Sequence, residues 1–431
     1  MPEYDPNFRP NREYAEELDA KDPLAHFRDR FYIPKMADGR DRLYFCGNSL
    51  GLQPKSTRSF VEQELLDWER LGVEGHFHAR NPWLSYYELL TEAMATVVGG
   101  QAEEVVVMNS LTVNLHLLMV SFYRPTAHRH KIIIEADAFP SDRYAVVSQM
   151  KFHGFDPRTS LVELRSKDGH PVIPTEEILE AIAREGDSVA LVLLGGVNYY
   201  TGQAFEMEKS TQASHAVGAK VGFDLAHAAG NLVLRLHDWG PDFACWCGYK
   251  YLNSGPGGLS GIFIHHRHAH DSTMPRFSGW WGHNKQNRFK MPPDFEPLPG
   301  AEGWQLSNSP ILALAALRAS LEIFADAGMQ ALRQKSELLT GYLEWLIHQR
   351  NVNDRIRILT PSNVAQRGCQ LSLQTKEDGR AIFDRLTMQG VVTDWREPDV
   401  IRVAPVPLYN RFVDVWDFVD VLMASIAYPV G

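Results

Sequence analysis

Three short apolar runs in this chain end in groups able to do chemistry. Val189-Leu194 is followed by Gly195-Gly196-Val197-Asn198-Tyr199-Tyr200-Thr201-Gly202. Val221-Phe223 is followed by Asp224 and then His227. Phe243-Cys247 leads into Gly248, Tyr249 and Lys250, with Gly255-Pro256-Gly257-Gly258 behind. A lysine amine condenses with an aldehyde to form a Schiff base, and a carboxylate can keep a pyridine nitrogen protonated so that the ring draws electrons. Asp224 and Lys250, 26 residues apart, are the pair that pyridoxal phosphate (PLP) requires. A phosphate needs backbone N–H groups at a helix start, and Asn109-Ser110-Leu111-Thr112 opens an apolar helix directly after a strand-like run. Phe139, just past Lys131-Glu135, offers a flat apolar face. Each feature alone has a plainer reading: a turn aspartate, a solvated lysine, a core phenylalanine. The weight lies in their order.

Those groups need a scaffold. Val105-Met108, Lys131-Glu135, Val189-Leu194, Lys220-Phe223 and Phe243-Cys247 read as strands with helical patterns between them, which predicts an α/β chain with a mostly parallel, doubly covered sheet. Ligands of such sheets sit at the carboxyl ends of strands. Thr175 reads as the cap of a helix carrying Ile178, Leu179 and Ile182 on one face. Gly261-His266, after a Gly- and Pro-rich loop, reads as the one strand running backwards. Ser309-Pro310 reads as N-cap and first residue of a helix reaching towards Gly328. The chain has 431 residues, too many for one small core. The expected division is 1–72, an N-terminal arm with part of a small domain; 73–310, a large domain; and 311–431, the rest of the small domain, including Leu371-Gln374 and Ile401-Val403.

The composition is 44% hydrophobic and 22% charged with a net charge of -10, which is globular and argues against a nucleic-acid partner. Four cysteines do not make a disulfide framework. No apolar leader opens the chain, and the best apolar run, Leu111 to Tyr123, is short and interrupted by Asn114 and His116. A soluble, cytoplasmic protein with no membrane partner is expected. Gly47-Asn48-Ser49-Leu50-Gly51 matches a serine-hydrolase elbow but precedes most of the sheet. His265, His266, His268 and His270 have no Cys or carboxylate at ligand spacing, and Cys245 and Cys247 read as packing, so no metal is expected.

The long segments Tyr44-Pro54, Leu111-His116, Phe139-Asp142, Tyr200-Gln203, Gly222-His227, Trp246-Asn253, Gly279-His283 and Arg402-Asn410 resemble the kynureninases, within the aspartate-aminotransferase-like PLP enzymes, from about Leu43 onward. The resemblance implies that fold, PLP as cofactor, and hydrolytic cleavage of kynurenines in tryptophan degradation and NAD biosynthesis. It implies Lys250 as Schiff-base lysine and base at the substrate Cα, and Asp224 on the pyridinium with His227 beside it. Leu111 and Thr112 would meet the phosphate, Phe139 would stack on the ring, and Asp142 would help hold it. Tyr249 would bind phosphate and pass protons. Trp280 and Asn308 would complete the phosphate pocket from the partner subunit of a homodimer. Arg402 would clamp the substrate carboxylate, and Ser49, His76, Tyr200, His283 and Ser307 would be further substrate contacts. Gly195 departs from the family pattern, which has Ser or Thr there. The alternatives are another PLP-dependent lyase or desulfurase of the same fold, and a PLP-fold protein that binds without turnover.

Overall fold

The strand-like runs become a sheet because strands covered on both faces must be apolar along their length. The computed structural model describes residues 7–350, 352 and 355–427. Its strands are β1 (Leu43–Tyr44), β2 (Val105–Val107), β3 (Lys131–Glu135), β4 (Leu161–Leu164), β5 (Val189–Gly195), β6 (Lys220–Asp224), β7 (Phe243–Cys247), β8 (Ser260–Ile264), β9 (Ile356–Ile358), β10 (Leu371–Thr375), β11 (Val391–Val392), β12 (Asp394–Arg396) and β13 (Val400–Val403). The main sheet has the order β2-β8-β7-β6-β5-β3-β4. Only β8 runs against its neighbours there, as its place after the glycine-rich loop predicts. The chain moves outward from β3 to β4, then returns to β5 and proceeds the other way through β6 and β7. The topological switch therefore lies between β3 and β5, and a crevice opens at their carboxyl ends.

Several local expectations need correction. β4 was missed: it is a half-exposed edge strand with Glu163 in it, so it lacks a continuous apolar run. Thr175 is the first helical residue rather than the cap, and its hydroxyl donates to Glu206. Pro310, with its extended ψ, caps the helix Ile311–Ala327, one residue later than expected. The reversed strand stops at Ile264 and His266–Ala269 is a helical turn.

Two hydrophobic cores form. The first surrounds the main sheet and takes in Leu314, Leu317, Leu321 and Phe324 of the helix Ile311–Ala327. That helix was expected with the C-terminal unit, but it lies against Thr57–Leu71 and Glu88–Val98. The second core joins Phe8 and Tyr14 of the N-terminal arm to Leu343 and Ile347, to the antiparallel sheet β12-β13-β10-β9, and to Phe418 and Leu422 of the last helix. β1 pairs in parallel with β11, which ties the arm to this second core. No helix among the described residues is long and apolar enough to cross a membrane.

Candidate active site

Four strand ends converge on one cleft of about 550 Å³, counting its open mouth. Glu135 ends β3, Gly195 ends β5, Asp224 ends β6, and Tyr249 and Lys250 follow β7; all line it, with Leu111, Thr112, Phe139, Asp142 and His227. Lys250 Nζ donates to His227 Nε2 at 3.2 Å and stands 5.7 Å from the centre of the Phe139 ring. Burial and the neighbouring Lys250 ammonium push the His227 imidazole well below its usual range, so it is neutral. With Nε2 accepting from Lys250, its proton sits on Nδ1, which is buried and without a partner.

The acids at the cleft floor form a coupled set. Burial raises Asp142 well above an ordinary carboxyl, and the charge of Asp224 raises it further. Asp224 is raised by burial too, but Lys250 and a hydrogen bond from Asp142 oppose the rise. Asp142 therefore holds the proton and Asp224 the charge. The Asp224 carboxylate also accepts Ala226 N–H at 2.7 Å.

The helix Leu111–Phe122 enters with its N-terminus at the cleft. Ser110 caps it without a side-chain hydrogen bond, leaving the first-turn N–H groups of Leu111 and Thr112 for an anion. The turn before it is tight: Asn109 has φ 48°, and buried Asn114, an interruption in the apolar pattern, donates to Met108 O at 2.9 Å and stitches helix to strand. An anion at this helix start, an aldehyde at Lys250, an apolar ring over Phe139 and a ring cation at Asp224 match the donor set of PLP.

Arg402 on β13 lies directly opposite Asp394 on β12. Its side chain is 1% exposed and donates to Asp394 Oδ2 at 2.6 Å, Ser49 Oγ at 3.0 Å and Tyr199 O at 2.8 Å. Burial would raise Asp394, yet the Arg402 charge holds it below the usual carboxylate range. Ser49 also donates to Asp394, so the hydrolase-like motif is an arginine-anchoring loop. Gly51 lets that loop reach the lysine segment: its N–H bonds Tyr249 O at 2.9 Å, and a Cβ would sit 2.3 Å from Lys250 O.

The structure divides the remaining predicted residues. Tyr199, not Tyr200, lines the cleft, its ring edge-on to Phe139 at 5.2 Å; the Tyr200 phenol turns towards Asp399. His76 is bonded to Val73 O and packs on Trp83. Trp280 and His283 line a separate groove with Met291 and Phe295, and the Trp280 indole N–H donates to Arg288 O. His283 Nδ1 accepts Glu296 N–H, while its Nε2 is buried without a partner. Ser307 and Asn308 are exposed. Within one chain, His76, Trp280, His283, Ser307 and Asn308 are not among the residues lining the Lys250 cleft, nor are Ser49, Tyr200 and Arg402, although Arg402 bonds the backbone of the lining residue Tyr199.

Sequence reasoning missed Glu135, Tyr199 and Asp394. Asp394-Trp395-Arg396 in a short polar strand beside the Arg402 motif was the available signal for the last. It also missed the carboxylate that the fold brings to the histidine run. Glu104 accepts from His237 Nδ1 at 3.0 Å and from His266 and Gln101 N–H at 2.8 Å. Both nitrogens of His265 are engaged as well, with Arg267 N–H and His237 O. Glu104, His237 and His265 lie close enough to hold an ion, but their polar atoms are already engaged with one another and with Gln101, His266 and Arg267.

The family model described as the kynureninase C-terminal domain matches residues 332–422. The chain is 58% identical over 415 residues to a kynureninase of Myxococcus xanthus, covering 96% of this chain and 97% of that one. It is 57% identical over 419 residues to a kynureninase of Koribacter versatilis, covering 97% and 99%. In fold it is similar to the cysteine desulfurase of Thermococcus onnurineus, with a TM-score of 0.74 at 15% identity over 95% of this chain and 97% of that one. It also matches a C-DES variant with glycine covalently linked to its PLP cofactor, with a TM-score of 0.68 at 18% identity over 88% and 96%. The cofactor is pyridoxal phosphate, and the chain belongs to the kynureninase family of PLP-dependent hydrolases that act on carbon–carbon bonds.

Proposed function

We propose that this enzyme hydrolyses the Cβ–Cγ bond of L-kynurenine and 3-hydroxy-L-kynurenine, giving anthranilate or 3-hydroxyanthranilate plus L-alanine, in tryptophan degradation and NAD biosynthesis. The observation that carries it is the Lys250 amine lining the same cleft as Asp224 and Phe139, beside His227. When bound, the cofactor supplies an electron sink for the bonding pairs at the substrate's Cα and Cβ. Lys250 tethers the cofactor through its aldehyde and, once the substrate amine has displaced it, takes the Cα proton. Asp224, with Asp142 behind it, keeps the ring nitrogen protonated. Leu111 and Thr112 hold the phosphate by backbone N–H. Arg402 presents two parallel N–H donors to the α-carboxylate in place of Asp394. Water adds to the side-chain carbonyl, the Cβ–Cγ bond breaks, and Tyr249 delivers a proton to Cβ. Burial pushes the Tyr249 phenol well above its ordinary range, so it enters the reaction protonated.

Cys247 also lines the cleft, and desulfurases share the fold. Its thiol is pushed up to about 11 by burial, which works against the thiolate a sulfur-transfer reaction needs.

The expected quaternary state is a homodimer in the cytoplasm. Exposed Trp68 and Leu312, and exposed Phe77 with its ring tilted against that of exposed Phe289, form apolar surface that a second copy would cover. The second copy would bring Trp280, His283, Ser307 and Asn308 to the cleft. The four cysteines, all free, suit a reducing compartment. His283, Ser307 and Asn308 offer polar groups to meet a ring hydroxyl, His283 Nε2 being buried without a partner, and this supports a preference for the 3-hydroxy substrate. The test is anthranilate fluorescence with both substrates, with and without added PLP, together with borohydride trapping and peptide mapping of the modified lysine. An adduct elsewhere than Lys250, or no turnover of either kynurenine, overturns the reading. Equal kcat/KM for the two substrates overturns the preference alone.

A further inference from the structure

Glu135 is a buried acid in the cleft for which the reaction above has no use. It ends β3 at the topological switch and is 5% exposed. Both of its carboxyl oxygens lie 3.2 Å from Gly195 N. A Cβ built on Gly195 would sit 2.9 Å from Glu135 Oε1, so any side chain at 195 would push that carboxyl aside. The carboxyl thus fills the space a side chain at 195 would take, at the end of the strand that pairs Gly195 with Asp224.

The charged and titratable groups facing it come from three directions. Asp224 on β6 acts on Glu135 directly, Asp142 on the helix Pro140–Phe152 senses both acids, and Tyr199 after β5 senses Glu135. The Lys250 ammonium acts on Asp142 and Asp224. No arginine or lysine is bonded to the Glu135 carboxyl among the described contacts.

We propose that Glu135 is a positioning residue of the cofactor site. Its carboxyl, locked on Gly195 N–H, lines the cleft with Asp142 and Asp224 and helps them hold the cationic end of the cofactor ring. Gly195 is the empty position that admits it. The inference rests on the PLP reading of Lys250 and Asp224. It implies that a side chain at 195 displaces the carboxyl at 135 from its present place.

The test compares wild type, Glu135→Gln, Gly195→Ser, Glu135→Ala and the double variant Glu135→Ala/Gly195→Ser. The readouts are the PLP dissociation constant, the pH profile of the holoenzyme's visible absorbance, and the melting temperature of the apoprotein. Glu135→Gln keeps the shape and the Gly195 contact, so it should fold. It should weaken PLP roughly tenfold and shift the absorbance profile along the pH axis. Gly195→Ser should lose more cofactor affinity in the wild-type background than in the Glu135→Ala background, because the double variant has room for the serine. Glu135→Gln with wild-type affinity and an unmoved absorbance profile overturns the proposal, as does equal loss from Gly195→Ser in both backgrounds. A wild type that traps no lysine adduct overturns the PLP reading and this inference together; one that traps it while Glu135→Gln changes nothing overturns this inference alone.

Discussion

The two jobs proposed for Lys250 have no neighbour to fall to, since the cleft contains no second lysine among its lining residues. Lys250→Ala is expected to fold, to give no borohydride adduct, and to lose roughly 10³-fold or more in kcat, read in a direct anthranilate assay. The acids beside it predict a pH signature in the apoprotein. Burial pushes the Glu135 carboxyl up to about 7, with Asp224 adding to the rise, against an ordinary value of 4.5. Between those values the native state holds a proton that the unfolded chain has released, so stability falls as pH rises. Asp142 and Asp224 are shifted in the same direction. The loss from Glu135 alone is on the order of 3 kcal/mol at full deprotonation. The urea midpoint of the apoprotein should therefore drop between about pH 5 and pH 8, and Glu135→Gln should flatten that slope; a wild-type midpoint that rises over this range would refute the assignment. Lys250, Asp224, Phe139 and Arg402 were legible in the sequence because each sits in a long local motif. Glu135 and Asp394 were not, because what makes them functional is a neighbour far along the chain: Gly195 across the β3–β5 switch, and Arg402 across a hairpin.

The contact proposed between the helix Leu111–Phe122 and the cofactor runs through backbone rather than side chains, and this can be tested without touching any polar side chain. Leu111 is the first helical residue and Ser110 before it is extended, with φ -112° and ψ 162°, which is the conformation a following proline demands. Leu111→Pro therefore suits the helix start while deleting one N–H. A charge-assisted hydrogen bond of this kind contributes about 1.5–3 kcal/mol, so the PLP dissociation constant should rise roughly tenfold or more with the circular dichroism spectrum unchanged. Unaltered PLP affinity would mean that the phosphate is held elsewhere. At this scale the sequence was most informative where strands are fully buried: β3, β5, β6 and β7 were read to within a residue of their ends. It was least so at β4, whose one exposed edge breaks the apolar run, and at the caps of Thr175 and Pro310, where the choice between cap and first helical residue depends on backbone angles that composition does not record.

At the scale of the whole molecule, one chain does not gather its own predicted site. Leu111, Phe139, Asp142, Asp224, His227, Tyr249 and Lys250 share the cleft, whereas Trp280 and His283 line another groove and Ser307 and Asn308 are exposed. Sequence order cannot tell residues that meet within a chain from residues that meet across two copies, because both appear as motifs on one string. If the second group serves the cleft of a neighbouring copy, two inactive variants should repair each other. Lys250→Ala leaves the first group without its amine. Asn308→Asp sets a carboxylate where a phosphate should lie, and like charges at that distance repel strongly in a buried site. Each homodimer should be nearly inactive. After subunit exchange, a hybrid dimer would hold one site with both defects and one with neither, so an equal mixture should recover roughly a quarter of wild-type kcat, with KM unchanged. Lys250→Ala mixed with Asp224→Asn should recover nothing, since both changes fall in the same group and every hybrid site is damaged. Recovery in neither mixture, with exchange verified by mass spectrometry of tagged subunits, would place Asn308 in its own chain's cleft, and the apolar face around Trp68 and Leu312 would need a different occupant.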